Sequence, residues 1–486
     1  MSKETFKVDK NGDFSNWFNR IIREAQLIDD RYNVKGFIVH RPWSMSMLKQ
    51  IYRLYESELE ERGHKPVLFP TVIPEENLSK EEEHVEGFRA EVFWITHGGD
   101  DKLEKRLALR PTSETAFYPL YSLWIRSISD LPLKLYQSCS VFRYETKSTK
   151  PLIRGREFLW IEAHDVFATE EEAYKQVEED MEIAEEVIHK RLGIPFIFLE
   201  RPQWDKFKGA VKTFAADCVM PDGKLLQIAS THYLGQRFSK AFEITFLDSD
   251  GTRKYAYQTC YGPGVWRILA AVISIHGDDN GLILPFEIAP IQVIIVPIFT
   301  KEHKESVEKY CMEVFKSLKA AGFRVEIDFS DKTPGAKYYY WEMMGVPIRA
   351  EVGIREVEAK SVTLFRRDNR NRITVQLDGL VEAVKKLGDE SLLNLRKRAE
   401  EFLQSKIFKA TTFEEVKDLA DRGGFIIAPF CSIDFDGENC SIKLKETLGL
   451  EVRGVPLKNR VKPSEGEKCI VCGRKAEEYV YLGKAY

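Results

Sequence analysis

The residue order predicts an α+β domain on an antiparallel sheet, then an α/β domain, then a small α+β C-terminal unit. Three observations carry this reading. Between residues 132 and 259, strand-like alternating runs are joined by turns and interspersed with helices, without a regular strand–helix beat. From about residue 288, strands and helices alternate one for one, as a mostly parallel sheet requires. Four of the eight cysteines, Cys431, Cys440, Cys469 and Cys472, crowd the end of the 486-residue chain. The expected domain limits are 1–287, 288–392 and 393–486.

Met47, Leu48, Ile51, Leu54, Tyr55 and Leu59 recur at steps of three and four, which predicts an amphipathic helix over 44–62 stopped by Gly63. VLFP (67–70) predicts a short strand ending in proline. PLKLYQSCSVFRYE (132–145) and REFLWIEAHDVFA (156–168) read as strands joined by a polar turn at 146–155. A charged helix is expected over 169–192, between Thr169 and Gly193, then a strand near 194–200. Residues 225–259 alternate like an antiparallel sheet, and Gly262-Pro-Gly-Val-Trp-Arg267 turns into the apolar helix of Ile268–Ile275. In the α/β domain the expected strands are 292–298, 323–329 and 348–353, with helices at 301–320 and about 335–345. A hairpin over 362–375, turning at Asp368-Asn369, closes it, and a charged helical connection runs from about 379 to 406.

Hydrophobic residues make up 43% and charged residues 30%, which excludes a mainly disordered, collagenous or fibrous chain. With 72 Lys+Arg against 76 Asp+Glu the net charge is −4, so any RNA site must be a local patch. The longest apolar runs, such as Ile268–Ile275 and Val293–Phe299, fall far short of the ~20 residues of a membrane span. The polar start MSKETFKVDKNGDF lacks the apolar core of a signal peptide, so a cytoplasmic protein is expected. There, clustered cysteines read as metal ligands before disulfides. Their intervals of eight, 28 and two residues include a CxxC knuckle at 469–472 followed by Gly473, and a turn signal at Asp436-Gly437. These predict a closed four-thiolate structural zinc site; the alternative is four unrelated thiols.

In Phe142-Arg143-Tyr144-Glu145 and Arg154-Gly155-Arg156-Glu157-Phe158, two strands flank a basic loop, with Arg143 and Glu145 on one face. An arginine on a strand can clamp a phosphate bidentately, and a neighbouring carboxylate can hold Mg²⁺ or an adenine amino group. The plain alternative is a solvated hairpin with surface ion pairs. In the GPGVWR turn the glycines permit close backbone approach and Arg267 heads a helix, though such turns also simply join strand to helix.

The order of these segments resembles class II aminoacyl-tRNA synthetases. The 44–62 helix leading into Val67–Pro70 is similar to their motif 1, FRYE…RGREF to motif 2 and GPGVWR to motif 3. LRPTSET (109–115), FLWIEAHDVFA (158–168), LQIASTHYLGQRFSKAFEI (226–244) and HGDDNGLILP (276–285) resemble prolyl-tRNA synthetases of the archaeal/eukaryotic-like type. VPIRAEVG (346–353) is similar to their anticodon-binding domain. GPGVWR departs from the Gly-Leu-Ser/Thr-x-Arg wording common there, but keeps the arginine at nine residues from His276.

The resemblance implies a homodimer that activates proline with ATP, releasing pyrophosphate, and then transfers prolyl from the adenylate to the 3′ end of tRNA(Pro). Thr112 and Glu114 would accept from the secondary ammonium of proline; Glu114 could otherwise simply favour a helix N-terminus. Trp160, Glu162 and His164, alternating on one strand face, would wall the proline pocket, with Phe214 near the ring and His232 close by. Their plain reading is a sheet face with a core tryptophan and a bonded histidine. Gln227 and Ser230 would sit near adenosine and Phe158 would stack on adenine. Arg143 would hold the α-phosphate, and Arg154 and Arg267 the distal phosphates, so that Arg143 and Arg267 carry the catalysis; Glu145 is the candidate Mg²⁺ ligand. In the second domain Glu342, Arg349, Arg355, Arg366 and Arg367 are anticodon candidates, against a solvated charged face. Between motifs 2 and 3 no Cys/His trio stands out, which argues against a threonine enzyme of the same subclass; serine and glycine enzymes remain alternatives. A non-catalytic paralogue that binds RNA or a partner would have no use for Arg143, Glu145, Arg267, Thr112 and Glu114 together.

Overall fold

The computed structural model describes residues 6–84 and 92–486. An eleven-stranded sheet runs through it. From one edge the order is Lys65–Pro66, Leu133–Phe142, Glu157–Phe167, Tyr257–Pro263, Leu225–Gly235, Lys212–Val219 and Ile197–Glu200. All these neighbours pair antiparallel except the first two, which are parallel. Helices cover one face. The Pro42–Glu61 helix begins with proline in its first turn, and buries Met47, Leu48, Ile51, Leu54, Tyr55 and Leu59, as its periodicity predicts. Gly63, at φ +86°, ends it by letting the chain take a left-handed turn. The Glu170–Ala184 helix starts with a reciprocal Thr169–Glu172 capping box, and its last part, Glu185–Arg191, winds as a π-helix rather than continuing in the α form. The Val265–His276 helix is buried on nearly every side and begins ahead of Arg267, which therefore lies in its first turn.

Two sequence expectations are corrected here. VLFP is not itself a strand: the ladder pairing lies at Lys65–Pro66 and lapses within 67–70, where Pro70 has no donor and a side chain takes the Phe69 amide. Val67 N still donates to Tyr136 O at 2.9 Å, but Phe69 N is taken by the Gln137 side chain at 2.9 Å. Residues 225–259 are not one continuous run of sheet either. The Arg237–Ala241 helix and a separate hairpin, Thr245–Leu247 with Arg253–Tyr255, interrupt it. A further three-stranded sheet, Val72–Pro74, Asp101–Leu109 and Trp94–Gly98, had no clear sequence signal.

The second unit is a five-stranded sheet in the order Val325–Ile327, Val293–Pro297, Ile348–Val352, Ser361–Arg366, Arg372–Gln376. The first three strands are parallel and the last two form the expected hairpin. The Leu380–Ser405 helix then runs unbroken across residue 392.

The C-terminal unit extends the large sheet. Its strand Glu451–Pro456 pairs with Ile197–Glu200 through Val455↔Glu200 and Pro456↔Leu199. Beyond it lie Glu478–Gly483, Phe425–Phe430 and Ile407–Lys409. Gly454 makes the junction possible: at φ +120°, a Cβ there would lie 2.0 Å from Glu200 O.

Candidate active site

A cavity of about 520 Å³ opens on the sheet face opposite the helices. Strand alternation builds it. Phe158, Trp160, Glu162 and His164 share one face of their strand, and the register sets His232, Cys260 and His164 in one row across three strands. Gly262 is required beside Trp160, since a Cβ there would lie 2.6 Å from the indole.

At one end of the cavity, Thr112 and Glu114 line the wall. Thr112 Oγ1 donates to Glu114 Oε2 at 2.5 Å, and Glu114 opens the Glu114–Trp124 helix, a place that also suits its charge. Behind them Glu162 is fully buried. It accepts from Ser113 N at 3.1 Å, Ser113 Oγ at 2.5 Å and Gln137 Nε2 at 3.0 Å, with Thr112 Oγ1 and His164 Nε2 each 3.2 Å away. Burial alone would raise its pKa, but His164, Ser113 and Gln137 outweigh that and hold it down to about 2. Burial likewise disfavours the charged His164, yet its bond to Glu162 and the nearby Glu114 raise its pKa above the ordinary value. Glu162 and His164 thus sit beneath the wall, locking the Thr112–Glu114 turn from below.

His232 lines the cavity, with Nδ1 2.9 Å from Thr213 Oγ1 and Nε2 3.1 Å from Ser230 Oγ. Burial first, then His164 and Arg143, push its pKa down to about 3, so it stays neutral. Phe214 is displaced from its expected role. It lies on the helix-covered face with Phe167, Val177 and Tyr233, because Thr213 already faces the cavity and strand side chains alternate. Phe207, from an irregular turn, supplies the aromatic wall instead, its ring 5.1 Å from that of His232. The fold also gathers Glu114, His164 and Cys260 within 4.8 Å, a grouping that sequence spacing concealed. Its donor atoms are used internally: His164 meets Glu162 and Tyr118 Oη, while Glu114 accepts from Thr112 and, at 3.5 Å, from the Cys260 thiol.

The other end of the cavity is cationic. Arg143 Nε donates to Pro111 O at 3.1 Å, and its guanidinium lies 5.4 Å from the Phe158 ring and 5.2 Å from the Trp160 ring. Arg267 donates to Ile153 O at 3.0 Å and Gln227 O at 3.2 Å. Arg154 lies 3.9 Å from Glu145. Burial, then the like charges of Arg143, Arg154 and Arg453, push the Arg267 pKa down to about 10. Such convergence of like charge is a site made for a polyanion. Gln227 and Ser230 line the same wall.

In the second unit, Arg349 is buried between Tyr338 at 3.7 Å and Phe365 at 4.1 Å, and donates to Glu342 and Glu351. Arg366 is committed to Asp368 and Glu390, and Arg367 to both oxygens of Asp278 in the first unit. Arg355 is exposed on the Ile354–Ala359 helix. In the C-terminal unit the four sulfurs of Cys431, Cys440, Cys469 and Cys472 lie within 4.8 Å of one another, Cys431 and Cys440 at 3.7 Å. That is far beyond a disulfide of about 2.05 Å. It agrees with the S···S spacing of about 3.8 Å that four Zn–S bonds of ~2.3 Å impose on a tetrahedron. Gly473, at φ +73°, allows the turn in which its N–H returns to Cys469 O.

Comparison with known proteins agrees with this architecture. Residues 93–276 match the family described as tRNA synthetase class II core domain (G, H, P, S and T), residues 292–387 the anticodon binding domain, and residues 413–486 the C-terminal domain of prolyl-tRNA synthetase. The proline–tRNA ligase of Thermofilum pendens is 56% identical over the whole of both chains. That of Pyrococcus abyssi is 47% identical over 97% of this chain and 98% of its own. Among solved structures, Giardia lamblia prolyl-tRNA synthetase in complex with prolyl-adenylate superposes with a TM-score of 0.95 at 40% identity, covering 99% of this chain and 100% of that one. The Cryptosporidium parvum enzyme, complexed with halofuginone and AMPPNP, gives 0.94 at 34% identity over 100% and 98%. With a class II core, an anticodon-binding domain and the family's own C-terminal domain in one chain, this protein belongs to the prolyl-tRNA synthetase family.

Proposed function

We infer that the protein is a proline–tRNA ligase in which both transfer steps take place in the described cavity. The observation that carries this is one juxtaposition: an acceptor-lined end, Thr112 and Glu114, meets an arginine-lined end, Arg143, Arg154 and Arg267, across Phe158 and Trp160. A secondary ammonium has two N–H bonds to place, and the Thr112 hydroxyl and Glu114 carboxylate offer acceptors for both. That orients the proline carboxylate toward Arg143. There it attacks the α-phosphorus of ATP in line; a P–O bond to the carboxylate forms as the bond to pyrophosphate breaks. The terminal ribose hydroxyl of the tRNA then attacks the acyl carbon, and AMP leaves. No side chain need form a covalent bond. Positioning, and neutralisation by arginines held to backbone carbonyls before substrate arrives, supply the rate. Mg²⁺ enters as part of the nucleotide substrate, and Glu145 is the nearby carboxylate suited to it. His232, neutral and bonded to Thr213 and Ser230, orders the wall between the two substrates.

The Cys431, Cys440, Cys469 and Cys472 cluster fits structural zinc, which would pin the C-terminal unit without taking part in chemistry. Purified protein is expected to carry about one zinc per chain. Cys469→Ser should lower thermal stability while leaving proline activation largely intact; metal-free protein of undiminished stability would remove the site. A homodimer is supported by an exposed apolar patch of Leu68, Leu123, Trp124, Ile128 and Leu247 beside the Lys65–Pro66 edge strand. The anticodon would be met by the second unit, with Glu342 and Arg355 its more accessible candidates, and a cytoplasmic location fits this reading. Among the described residues no helix is long and apolar enough to cross a membrane. The decisive experiment is ATP–pyrophosphate exchange with each of the twenty amino acids. Proline should dominate; equal exchange with threonine, serine or glycine would overturn the assignment.

A further inference from the structure

Gln227 lines the nucleotide end of the cavity, and its amide has one orientation open to it. Arg201 Nη2 donates to Gln227 Oε1 at 3.0 Å. A guanidinium can only donate, so the amide oxygen must face Arg201, leaving the Nε2 donors for the cavity. Arg201 is itself held hard. Its side chain is 1% exposed, and it donates to Asp217 at 2.9 and 2.7 Å and to Arg453 O at 2.6 Å. Arg453 comes from the C-terminal unit and donates to the same Asp217 carboxylate, from Nε at 2.8 Å and Nη2 at 3.1 Å. Burial would raise the Asp217 pKa, but the two guanidiniums overcome this and keep it charged. One buried carboxylate thus binds two arginines, one from each unit, and one of those arginines sets the amide on the cavity wall. Buried ion pairs are often replaceable by apolar groups without loss of stability, so what this one yields is orientation.

We propose that Arg201 is a positioning residue for ATP, aligned by Asp217 and Arg453, so that the C-terminal unit fixes the hydrogen-bond donor which Gln227 presents to an acceptor atom of the nucleotide. This rests on the ATP-site reading given above. The bonded path is Arg453–Asp217–Arg201–Gln227 and passes through no part of the proline end.

The test uses the full-length protein, with KM for ATP and for proline read separately in pyrophosphate exchange and thermal unfolding read alongside. Gln227→Ala, Arg201→Lys and Arg453→Lys should each raise KM for ATP about tenfold, the loss of one hydrogen bond to or positioned by a charged group. KM for proline should stay within about twofold, because no link of the network reaches Thr112 or Glu114. Combining Arg453→Lys with Gln227→Ala should be no worse than Gln227→Ala alone, since residues acting through one another are non-additive. Gln227→Glu keeps an acceptor on Arg201 but turns a second acceptor to the cavity; it should lose ATP use without a lower unfolding temperature. Multiplicative effects in the double variant would overturn the proposal. So would equal rises in both KM values, or Arg201→Lys and Arg453→Lys that bind ATP normally while Gln227→Ala does not. Gln227→Ala with a normal KM for ATP would overturn it at its root. Unmodified protein that fails to exchange with proline would strike the proposed function itself, and is read in the same assay.

Discussion

At the acceptor-lined end of the cavity, Glu162 binds Ser113, Gln137, Thr112 and His164, so the Thr112–Glu114 turn is bonded from below before any ligand arrives. At the cationic end the arginines lean on backbone carbonyls, Arg143 on Pro111 and Arg267 on Ile153 and Gln227, while burial first, and then the crowding of like charges, depress the Arg267 pKa. The first end is satisfied within the protein and stiff, so on the proposed function it would discriminate by shape and by the acceptors it presents. The second crowds like charge, which an incoming triphosphate would relieve, so on the same reading its binding energy comes from charge. Selectivity and driving force would then reside at different ends of one sheet face.

The contrast is broken most severely at the cationic end. Arg143→Ala should reduce kcat/KM in pyrophosphate exchange by a factor of ~10²–10³, the loss expected for one preorganised donor; near-normal exchange would refute its assigned role. Next is Glu114→Gln. It should raise KM for proline about 10- to 150-fold, corresponding to ~1.5–3 kcal/mol for a charged hydrogen bond, and leave KM for ATP alone. An equal rise in both constants would erase the distinction between the ends. Arg154→Met sharpens it differently. Removing one like charge should weaken ATP binding yet leave the unfolding temperature of the ligand-free protein unchanged or slightly higher; a clear drop in that temperature would show that no repulsion is stored there.

The smallest effect is on pH dependence. The folded-state pKa of His232, about 3, lies below its ordinary 6.5, so the unfolded chain binds more protons between those values. Stability from this group is complete above about pH 6.5 and is lost as pH falls toward 3. Glu162, at about 2 against an ordinary 4.5, adds the same sign below about pH 4.5. His232→Asn should flatten the acid decline in unfolding temperature between about pH 6.5 and 4; an unchanged slope would mean that the imidazole is not held neutral.

Much of this was legible in the chain. Alternation alone put Trp160, Glu162 and His164 on one face, and the amphipathic spacing of Met47 to Leu59 gave a buried helix face. The arginines of the basic hairpin and of the glycine turn did converge. What stayed hidden depended on contacts that leave no local period. Phe207 sits in an irregular turn, so nothing marked it, whereas the strand parity fixed by Thr213 would have excluded Phe214. The Glu114, His164 and Cys260 grouping arises from register between strands far apart in sequence. Asp217 meets Arg453 across a sequence separation of 236 residues, which no spacing rule spans.

The sheet junction at Val455↔Glu200 bears on how the molecule is made. During synthesis the Ile197–Glu200 segment is made long before Glu451–Pro456, so a row of backbone donors and acceptors beside the active site waits for residues far downstream. A nascent or truncated polypeptide lacking that segment carries an open β edge at the wall of its own cavity, the kind of surface that recruits strands from other molecules. Completion of the catalytic sheet is thereby tied to synthesis of residues 451–456, and a chain that stops short of them is expected to expose that edge and aggregate rather than act as a shortened enzyme.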